Sequence, residues 1–282
     1  MTPKNANEST AGNCETEIAA APAPLPAGMA NRNCGVPKVA CRLCLIDSQL
    51  AQSHIIPEFI YSRMYDKNHH YLELFDVNAG KIRLGQKGFR ERLLCPRCES
   101  NLNRYERHSR RLFVDDLPQR ESPKSRRICV ENLDYRLFKL FLLSVLWRAS
   151  ISSLPMFEHV KLGPHEEKIR VILQSENPGA PHNYPCLVFP LLFNGKHFKD
   201  YMPAPTSAKK EGHRCYRLVF GGFVFMIFVS SHRLPSKFEK FLLTEKKPLF
   251  LYLTELSEFP FLRDLWNRAK DSTRDVVTSF GD

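Results

Sequence analysis

Two short cysteine pairs constrain the fold of this chain more than any other feature. Cys41 and Cys44 form the first pair, Cys95 and Cys98 form the second, and each pair has two residues between its thiols. Two thiolates at this spacing can bind one ion when the backbone turns between them, and four thiolates make a tetrahedral zinc site. Since the protein fills all four ligand positions, we expect a structural Zn²⁺ that leaves no coordination position for a reacting water.

Cysteine usage and hydropathy favour a metal site in a cytoplasmic protein. The chain has nine cysteines in 282 residues, fewer than a disulfide scaffold needs, and its N-terminus lacks the basic and apolar segments of a secretory signal. We therefore expect a reducing, cytoplasmic compartment. The most apolar runs, 140–147 and 218–229, are shorter than the roughly 20 residues that cross a bilayer, so no membrane-spanning helix is predicted.

Composition along the chain predicts an α+β protein in four parts. Residues 1–37 contain an Ala/Pro run with no apolar period and are predicted to form a disordered tail. Residues 38–114 are predicted to be one zinc-stabilised module, and 115–130 a linker rich in Pro, Ser and charged residues. Residues 131–282 are predicted to be a second α+β domain of unknown role.

Local patterns predict the main helices and strands. In the zinc module we expect a strand at 53–57, a short helix at 58–65 and a helix at 99–113 that the second cysteine pair opens. In the second part, Gly221 and Gly222 interrupt an apolar run at 216–229, which predicts a tight β-hairpin. The other predictions are helices at 133–150, 164–174 and 261–270 and strands at 187–193 and 249–253.

Positive charge is concentrated around the second cysteine pair. The formal net charge is +11, and residues 83–127 carry thirteen Lys/Arg against six Asp/Glu, which leaves +7 there. Such a field suits DNA or RNA, because phosphate neutralisation dominates affinity for nucleic acid. A merely solvated basic surface is the alternative. The candidate phosphate contacts are Arg90, Arg92, Arg97, Arg104, Arg107, Arg110 and Arg111.

His54 is the candidate for chemistry, because a fully thiolate-bound zinc would be structural. It lies between the cysteine pairs, and the predicted helix carries Glu99, Asn103 and Glu106 on one face at i, i+4 and i+7. An imidazole can act as general base toward water, while carboxylate and amide oxygens hold a hard divalent ion. Taken alone, a histidine before two isoleucines is more often a packed core residue.

These residues together resemble the HNH (ββα-metal, treble-clef) nuclease family over about residues 41–113. The shared pattern is a Cys-x-x-Cys pair, a His followed by Ile-Ile-Pro, and Leu-Leu-Cys-x-x-Cys opening a helix. The resemblance implies a ββα-metal fold in which His54 is the general base. It also implies that Ser53 and Glu99 occupy positions that help bind the catalytic ion, Mg²⁺ or Mn²⁺.

The chain departs from the family pattern at two positions. The residue before the histidine is often acidic and here is Ser53, and a middle Asn before the second cysteine pair is replaced by the run 90–92 (Arg-Glu-Arg). The missing Asn would leave His54 without its usual orienting partner. The residues that can compensate are Glu58, Glu91, Asn101, Glu106 and His108, and spacing does not decide among them.

The resemblance implies hydrolysis of phosphodiester bonds in DNA, and it leaves RNA open as a substrate. A role in defence against foreign DNA, such as phage DNA, would fit this activity. A non-catalytic zinc module that binds nucleic acid, or one that binds protein, is the alternative. A single nuclease site usually needs a dimer to break both strands, so a homodimer is one option, and the sequence leaves the oligomeric state open. The second domain is expected to offer a surface for that contact or for another protein partner.

Overall fold

The structure is a computed structural model that describes residues 38–76, 81–116, 126–199, 201–230, 232–246 and 249–272. The predicted tail and most of the predicted linker lie outside these ranges. Residues Pro37–Asp282 group into one compact unit. The chain mixes helices and strands, as the α+β prediction requires.

The first part of the chain contains six strands and two helices. β3 and β6 form an antiparallel pair in which Ser53 lies opposite Glu91 and His54 opposite Arg90. β1 pairs with β2, and β4 pairs with β5, also antiparallel. The elements are β1 (Val39–Ala40), β2 (Asp47–Ser48), β3 (Ala51–His54), α1 (Glu58–Met64), β4 (Tyr71–Asp76), β5 (Lys81–Gly85), β6 (Arg90–Leu94) and α2 (Pro96–Arg110).

The predicted elements of this part are present, with shifted ends. The predicted strand at 53–57 begins earlier and stops at His54, because Pro57 precedes and caps α1. The predicted helix at 99–113 begins at Pro96, since proline fits the first turn of a helix, where its missing N–H has no partner to lose. A six-residue π-helical segment, Arg111–Asp116, continues it.

The second part is built on a six-stranded sheet. Its order is β11-β12-β13-β8-β15, and β9 pairs with β8 outside this path. Separately, β14 pairs with β7, and β10 extends the β4-β5 pair in parallel. The elements are β7 (Arg127–Val130), α3 (Tyr135–Ile151), α4 (Pro164–Ser175), β8 (Cys186–Phe193), β9 (Lys196–His197), β10 (Tyr201–Pro203), β11 (Thr206–Lys210), β12 (His213–Phe220), β13 (Phe223–Val229), β14 (Leu249–Tyr252), β15 (Thr254–Glu255) and α5 (Pro260–Ser272).

The predicted hairpin is the centre of that sheet. β12 and β13 pair over seven residue positions, and the turn between them holds Gly221 at φ +59° and Gly222 at φ +83°. Both angles are left-handed, which glycine adopts without the steric cost of a Cβ, so the two glycines fix a tight two-residue turn. All seven residues of β13 are buried, which agrees with the apolar character of both its faces.

One hydrophobic core joins the two parts that the sequence divides. The cluster runs from Cys41 to Leu251 and includes residues of α1, α2, α3 and β13. The Phe113 and Phe223 rings, one from each part, have centroids 4.7 Å apart and meet edge to face. The parallel contact between β4 and β10 is a second connection. Residues 38–114 are therefore packed against the rest of the described chain through shared apolar surface.

Helix α3 is the central element of the core. Every side chain from Phe138 to Ser150 is buried, as the apolar pattern of the helix predicts. Asp134 caps it, accepting a hydrogen bond from the Leu137 backbone N–H at 3.0 Å. Two cationic side chains, Lys139 and Arg148, are buried in the same helix with exposures of 1% and 0%. Over the described part of the chain, no helix has the length and hydropathy to span a membrane.

Candidate functional site

The four predicted zinc ligands converge. The sulfur atoms of Cys41, Cys44, Cys95 and Cys98 all lie within 4.8 Å of one another, and the Cys44 and Cys95 sulfurs are 3.9 Å apart. Zn–S bonds of about 2.3 Å place the sulfurs of a tetrahedral site about 3.8 Å apart. The four thiols can therefore hold one zinc ion with little movement.

The backbone builds this cluster from two tight segments. Leu45 adopts φ +62°, and its N–H donates to the Cys41 carbonyl at 2.8 Å, which closes the turn after the first pair. The Arg42 N–H donates to the Leu93 carbonyl at 3.0 Å and ties this turn to β6. The Cys95 N–H donates to the Cys41 sulfur at 3.3 Å, so the second pair supports the first.

His54 is the last residue of β3, next to Ser53, whose hydroxyl contacts Glu99, the residue that follows Cys98 in α2. Its Nε2 is 2.9 Å from the Glu58 carboxylate on α1, and its side chain is 23% exposed. Glu58 also pairs with Arg90 at 3.2 Å. Burial and the nearby Arg90 lower the pKa of His54, and the Glu58 carboxylate only partly opposes them. The imidazole is therefore partly open to solvent and favours its neutral form, which can accept a proton.

Arg148 reaches the same place from α3. Its Nη1 donates to the His54 carbonyl at 2.6 Å, and its Nη2 pairs with Glu106 at 2.8 Å. The Nε donates to the Ser144 carbonyl at 3.3 Å. Its side chain is fully buried, and that of Glu106 is 15% exposed. A buried ion pair with several hydrogen bonds fixes the main chain at His54 relative to α2.

Glu99 and Ser53 complete the group. The Ser53 hydroxyl donates to the Glu99 carboxylate at 2.7 Å, and Ser53 is fully buried. Burial raises the pKa of the Glu99 carboxyl, and the hydrogen bond from Ser53 and the charge of Arg148 only partly offset it. Within the described ranges, no basic side chain forms an ion pair with Glu99. We call Ser53, His54, Glu58, Glu99, Glu106 and Arg148 the His54 cluster.

The structure selects among the residues that can orient the histidine. Glu58 contacts the ring, and Glu106 acts through Arg148. Glu91 instead accepts hydrogen bonds from Ser152 and Ser153 after α3, and His108 accepts one from the Asp134 N–H at 3.0 Å. Asn101 is exposed, as is Asn103. The predicted helical face therefore brings Glu99 and Glu106 into the cluster, whereas Asn103 faces solvent.

Among the described residues, the four cysteines are the only group of three or more His, Cys, Asp or Glu side chains close enough to share one ion. Ser53 and Glu99, the predicted ligands, offer oxygens that are hydrogen-bonded to each other. Glu58 and Glu106 are each paired with an arginine.

The seven candidate phosphate-binding arginines have different surroundings. Arg90 pairs with Glu58, and Arg104 pairs with Glu176 near the end of α4. Arg92 donates to the Leu50 carbonyl at 3.2 Å. The other four are exposed and form no ion pair with the described residues: Arg97, Arg107, Arg110 and Arg111.

Helix geometry separates the arginines of α2 into two sets. At 3.6 residues per turn, Arg110 lies about 40° and Arg107 about 100° around the helix from Glu106. On the same basis, Arg97 and Arg104 lie about 180° and about 160° away. The candidate arginines thus do not form one surface beside His54. Arg107 and Arg110 are the members of α2 on the side of the His54 cluster.

The sequence reasoning missed the role of Arg148. The signal was available, because Lys139 and Arg148 interrupt a helix whose other side chains predict full burial. Charged side chains are almost never fully buried unless they are paired. An arginine in such a helix therefore indicates a partner, although the sequence does not say that the partners are His54 and Glu106.

Comparison of the chain with protein-family models, with curated proteins and with solved structures gave no match. The resemblance to HNH nucleases therefore stays a prediction from the residues quoted above.

Proposed function

We propose that this chain is a metal-dependent endonuclease of the HNH type that hydrolyses phosphodiester bonds in DNA. The observation that carries the proposal is the arrangement of β3, β6 and α2 around two adjacent groups. One is the four-thiol cluster, and the other contains His54 with Glu99 from α2. This arrangement supports a treble-clef module in which zinc stabilises the fold and His54 performs the chemistry.

In the proposed reaction, His54 accepts a proton from water, and the water oxygen attacks the phosphorus as the P–O bond to the leaving oxygen breaks. The Glu58 carboxylate, 2.9 Å from Nε2, stabilises the imidazolium that forms. Arg148 keeps the His54 main chain in place through its 2.6 Å hydrogen bond. The leaving oxygen takes its proton from solvent.

Glu99 is the proposed ligand for the divalent ion, Mg²⁺ or Mn²⁺, with the Ser53 oxygen beside it. A half-buried carboxylate with no ion pair among the described residues suits a cation, whose charge would offset the cost of burying it. When bound, such an ion stabilises the negative charge of the leaving oxygen. Arg107 and Arg110, on the near side of α2, are proposed to bind phosphates on either side of the scissile bond.

Plasmid nicking by the purified full chain in Mg²⁺ or Mn²⁺ tests the proposal. We expect His54→Ala to lose about 10²-fold to 10⁴-fold in rate, the usual range for removing a general base, while zinc content stays at one per chain. His159→Ala is the matched control, because His159 pairs only with Glu158 at 3.3 Å and lies outside the His54 cluster. Nicking by His54→Ala at the wild-type rate would exclude His54 as the base.

The second candidate is a zinc module that binds nucleic acid without cutting it. It is favoured by the hydrogen bond that already occupies Ser53 and Glu99 and by the four exposed arginines that form no ion pair with the described residues. It predicts salt-sensitive DNA binding with no nicking in Mg²⁺, Mn²⁺ or Ni²⁺. A protein-interaction module would show neither, even at low salt. RNA in place of the plasmid distinguishes the substrate class.

A further inference from the structure

A cavity lined by aromatic rings lies far along the chain from the His54 cluster. Its volume is about 340 Å³, within the roughly 300–1,000 Å³ typical of small-molecule sites. The sheet forms its floor, and two C-terminal segments form its walls: a short helical turn, Ser236–Phe241, and the residues that enter α5. The phenylalanines that line it are Phe189, Phe238, Phe241, Phe259 and Phe261.

Strand register explains why these groups face one cavity. Thr206 of β11 lies opposite Arg217 of β12, and Met226 of β13 is the next partner across the sheet. Leu187 of β8 follows Met226. Directly paired residues point to the same face of a sheet, so this row forms part of the floor. The hydrophobic core around α3 packs on residues of the opposite face, such as Phe225 and Ile227.

The aromatic walls are only partly covered by protein. Phe189, Phe241, Phe259 and Phe261 are each half-buried, although Phe238 is buried. Phe189 packs against Phe241 and Phe259 with ring centroids 5.4 and 5.7 Å apart. The cavity therefore offers open ring surface for a flat apolar or aromatic group.

Arg217 supplies a cation at this cavity. Its guanidinium carbon lies 4.1 Å from the centroid of the Phe261 ring, and its Nε donates to the Thr206 hydroxyl at 2.9 Å. Burial lowers the pKa of Arg217. No carboxylate of the described residues pairs with it. A partly desolvated guanidinium whose other N–H groups have no acceptor among the described residues is suited to an anionic ligand.

Two lysines, Lys209 and Lys210, also line the cavity. The Lys210 ammonium lies 5.7 Å from the centroid of the Phe238 ring. The acidic residue in the lining, Glu258, is already paired with Arg126 and accepts the Glu255 N–H at 3.1 Å. Its charge is thus offset by the protein, and the cavity keeps a net positive character.

We propose that this cavity binds a mononucleotide, with the base among the phenylalanine rings and the phosphate on Arg217 and Lys210. The proposal commits to a planar aromatic anion because the cavity combines half-exposed rings with Arg217 and Lys210, which have no carboxylate partner among the described residues. It is independent of the reaction proposed for His54, and it gives the second part of the chain a ligand of its own.

Titration calorimetry of the zinc-loaded full chain with adenosine 5′-monophosphate tests the proposal. We expect one saturable site per chain. Adenosine lacks the charge and inorganic phosphate lacks the ring, so each should bind at least about tenfold more weakly. The 5′-monophosphates of guanosine and uridine test whether the base is selected within the class.

Two variants place the ligand in the cavity. Arg217→Met should weaken nucleotide binding by at least about tenfold, because it keeps an apolar stem and removes the charge. Arg214→Met is the matched control, since Arg214 is an exposed arginine on the same strand that does not line this cavity. Lys210→Met, at an exposed position, should weaken binding by a smaller factor and guards against misfolding of Arg217→Met.

The proposal is overturned by any of three results. One is the absence of saturable binding at millimolar nucleotide. Another is equal affinity in the Arg217→Met and Arg214→Met variants when both show wild-type thermal unfolding. The third is inorganic phosphate binding as tightly as the nucleotide. Because nicking by the wild type is measured separately, failure here does not affect the assignment of His54, and His54→Ala should keep nucleotide affinity.

Discussion

The four-cysteine cluster and the His54 cluster lie side by side but are assembled differently. The first takes four identical ligands from two short segments of the chain, next to β6 and the start of α2. The second takes its members from β3, α1, α2 and α3, and its side chains are already paired with one another. The first needs an ion to join its thiolates, whereas the second is held by its own hydrogen bonds and by the surrounding core.

Metal removal should have the largest effect, because the four-cysteine cluster depends on its ion. Structural zinc contributes on the order of 10 kcal/mol to folding in small zinc modules, since the site forms only in the folded state. We expect Cys95→Ser, or a strong chelator, to lower the unfolding temperature sharply and to abolish any function of His54, because β6 and α2 lose their anchor. Zinc content and thermal unfolding, measured together, check this.

The matched control is Cys129→Ser, because Cys129 lies half-buried on β7 outside the cluster. It should keep one zinc per chain and nearly the wild-type unfolding temperature. If Cys95→Ser also kept both, the thiols would be ordinary core residues, and the contrast between the clusters would disappear.

The same contrast explains how much the sequence predicted. Repeated ligands at fixed spacing identify a cysteine site, and apolar periodicity identifies α1, α3 and the β12–β13 hairpin. The partners of His54 depend on contacts between residues up to 94 positions apart, as Arg148 shows. No sequence feature near Arg148 predicts its partners. Only the packing of α3 against β3 and α2 shows them. The parallel pairing of β4 with β10 was missed for the same reason.

Loss of Arg148 should have the next largest effect. Arg148→Met leaves Glu106 and the His54 carbonyl without a donor, and breaking a buried pair from one side costs about 3–5 kcal/mol of unfolding free energy. If Arg148 positions His54, kcat for nicking should fall more than KM changes. Denaturant unfolding and nicking kinetics, with zinc measured in each sample, check the two effects.

A double-mutant cycle with Glu106→Gln sharpens this test. The two changes should be non-additive by about 0.5–3 kcal/mol, as expected for residues in direct contact. Arg148→Lys should restore little of the lost stability or activity. The lysine ammonium lacks the planar fork with which the guanidinium reaches both the His54 carbonyl and Glu106. Additive effects would show that Arg148 fills space and does not link His54 to Glu106.

Lys139 is the other buried cation of α3, and its surroundings differ from those of Arg148 in the same helix. It donates to the Tyr135 hydroxyl at 2.9 Å and the Ala180 carbonyl at 2.7 Å but has no carboxylate in hydrogen-bond reach among the described residues. Burial lowers its pKa to about 8, from 10.5. The unfolded chain therefore holds this proton over a pH range in which the folded chain has released it.

The unfolding free energy should accordingly rise as the pH increases from about 8 to 10.5, by on the order of 3 kcal/mol. Lys139→Met should remove this rise, whereas Lys168→Met, an exposed lysine on α4, should keep it. Urea unfolding at several pH values checks this. A parallel pH profile in wild type and Lys139→Met would contradict the assignment.

The smallest expected effect concerns which side of α2 faces nucleic acid. Arg110 and Arg97 are both exposed and unpaired among the described residues, but Arg110 lies about 40° and Arg97 about 180° around the helix from Glu106. If DNA approaches the His54 cluster, Arg110→Glu should weaken binding about tenfold and reduce the salt slope by about one phosphate contact or more. Arg97→Glu should change both less, since its side chain leaves the helix on the far side.

Equal losses would mean that the whole basic helix binds DNA by charge alone, which favours the non-catalytic binding module. A loss confined to Arg110 would connect DNA binding to the His54 cluster and not to the second cysteine pair, because Arg97 lies between Cys95 and Cys98 in the sequence.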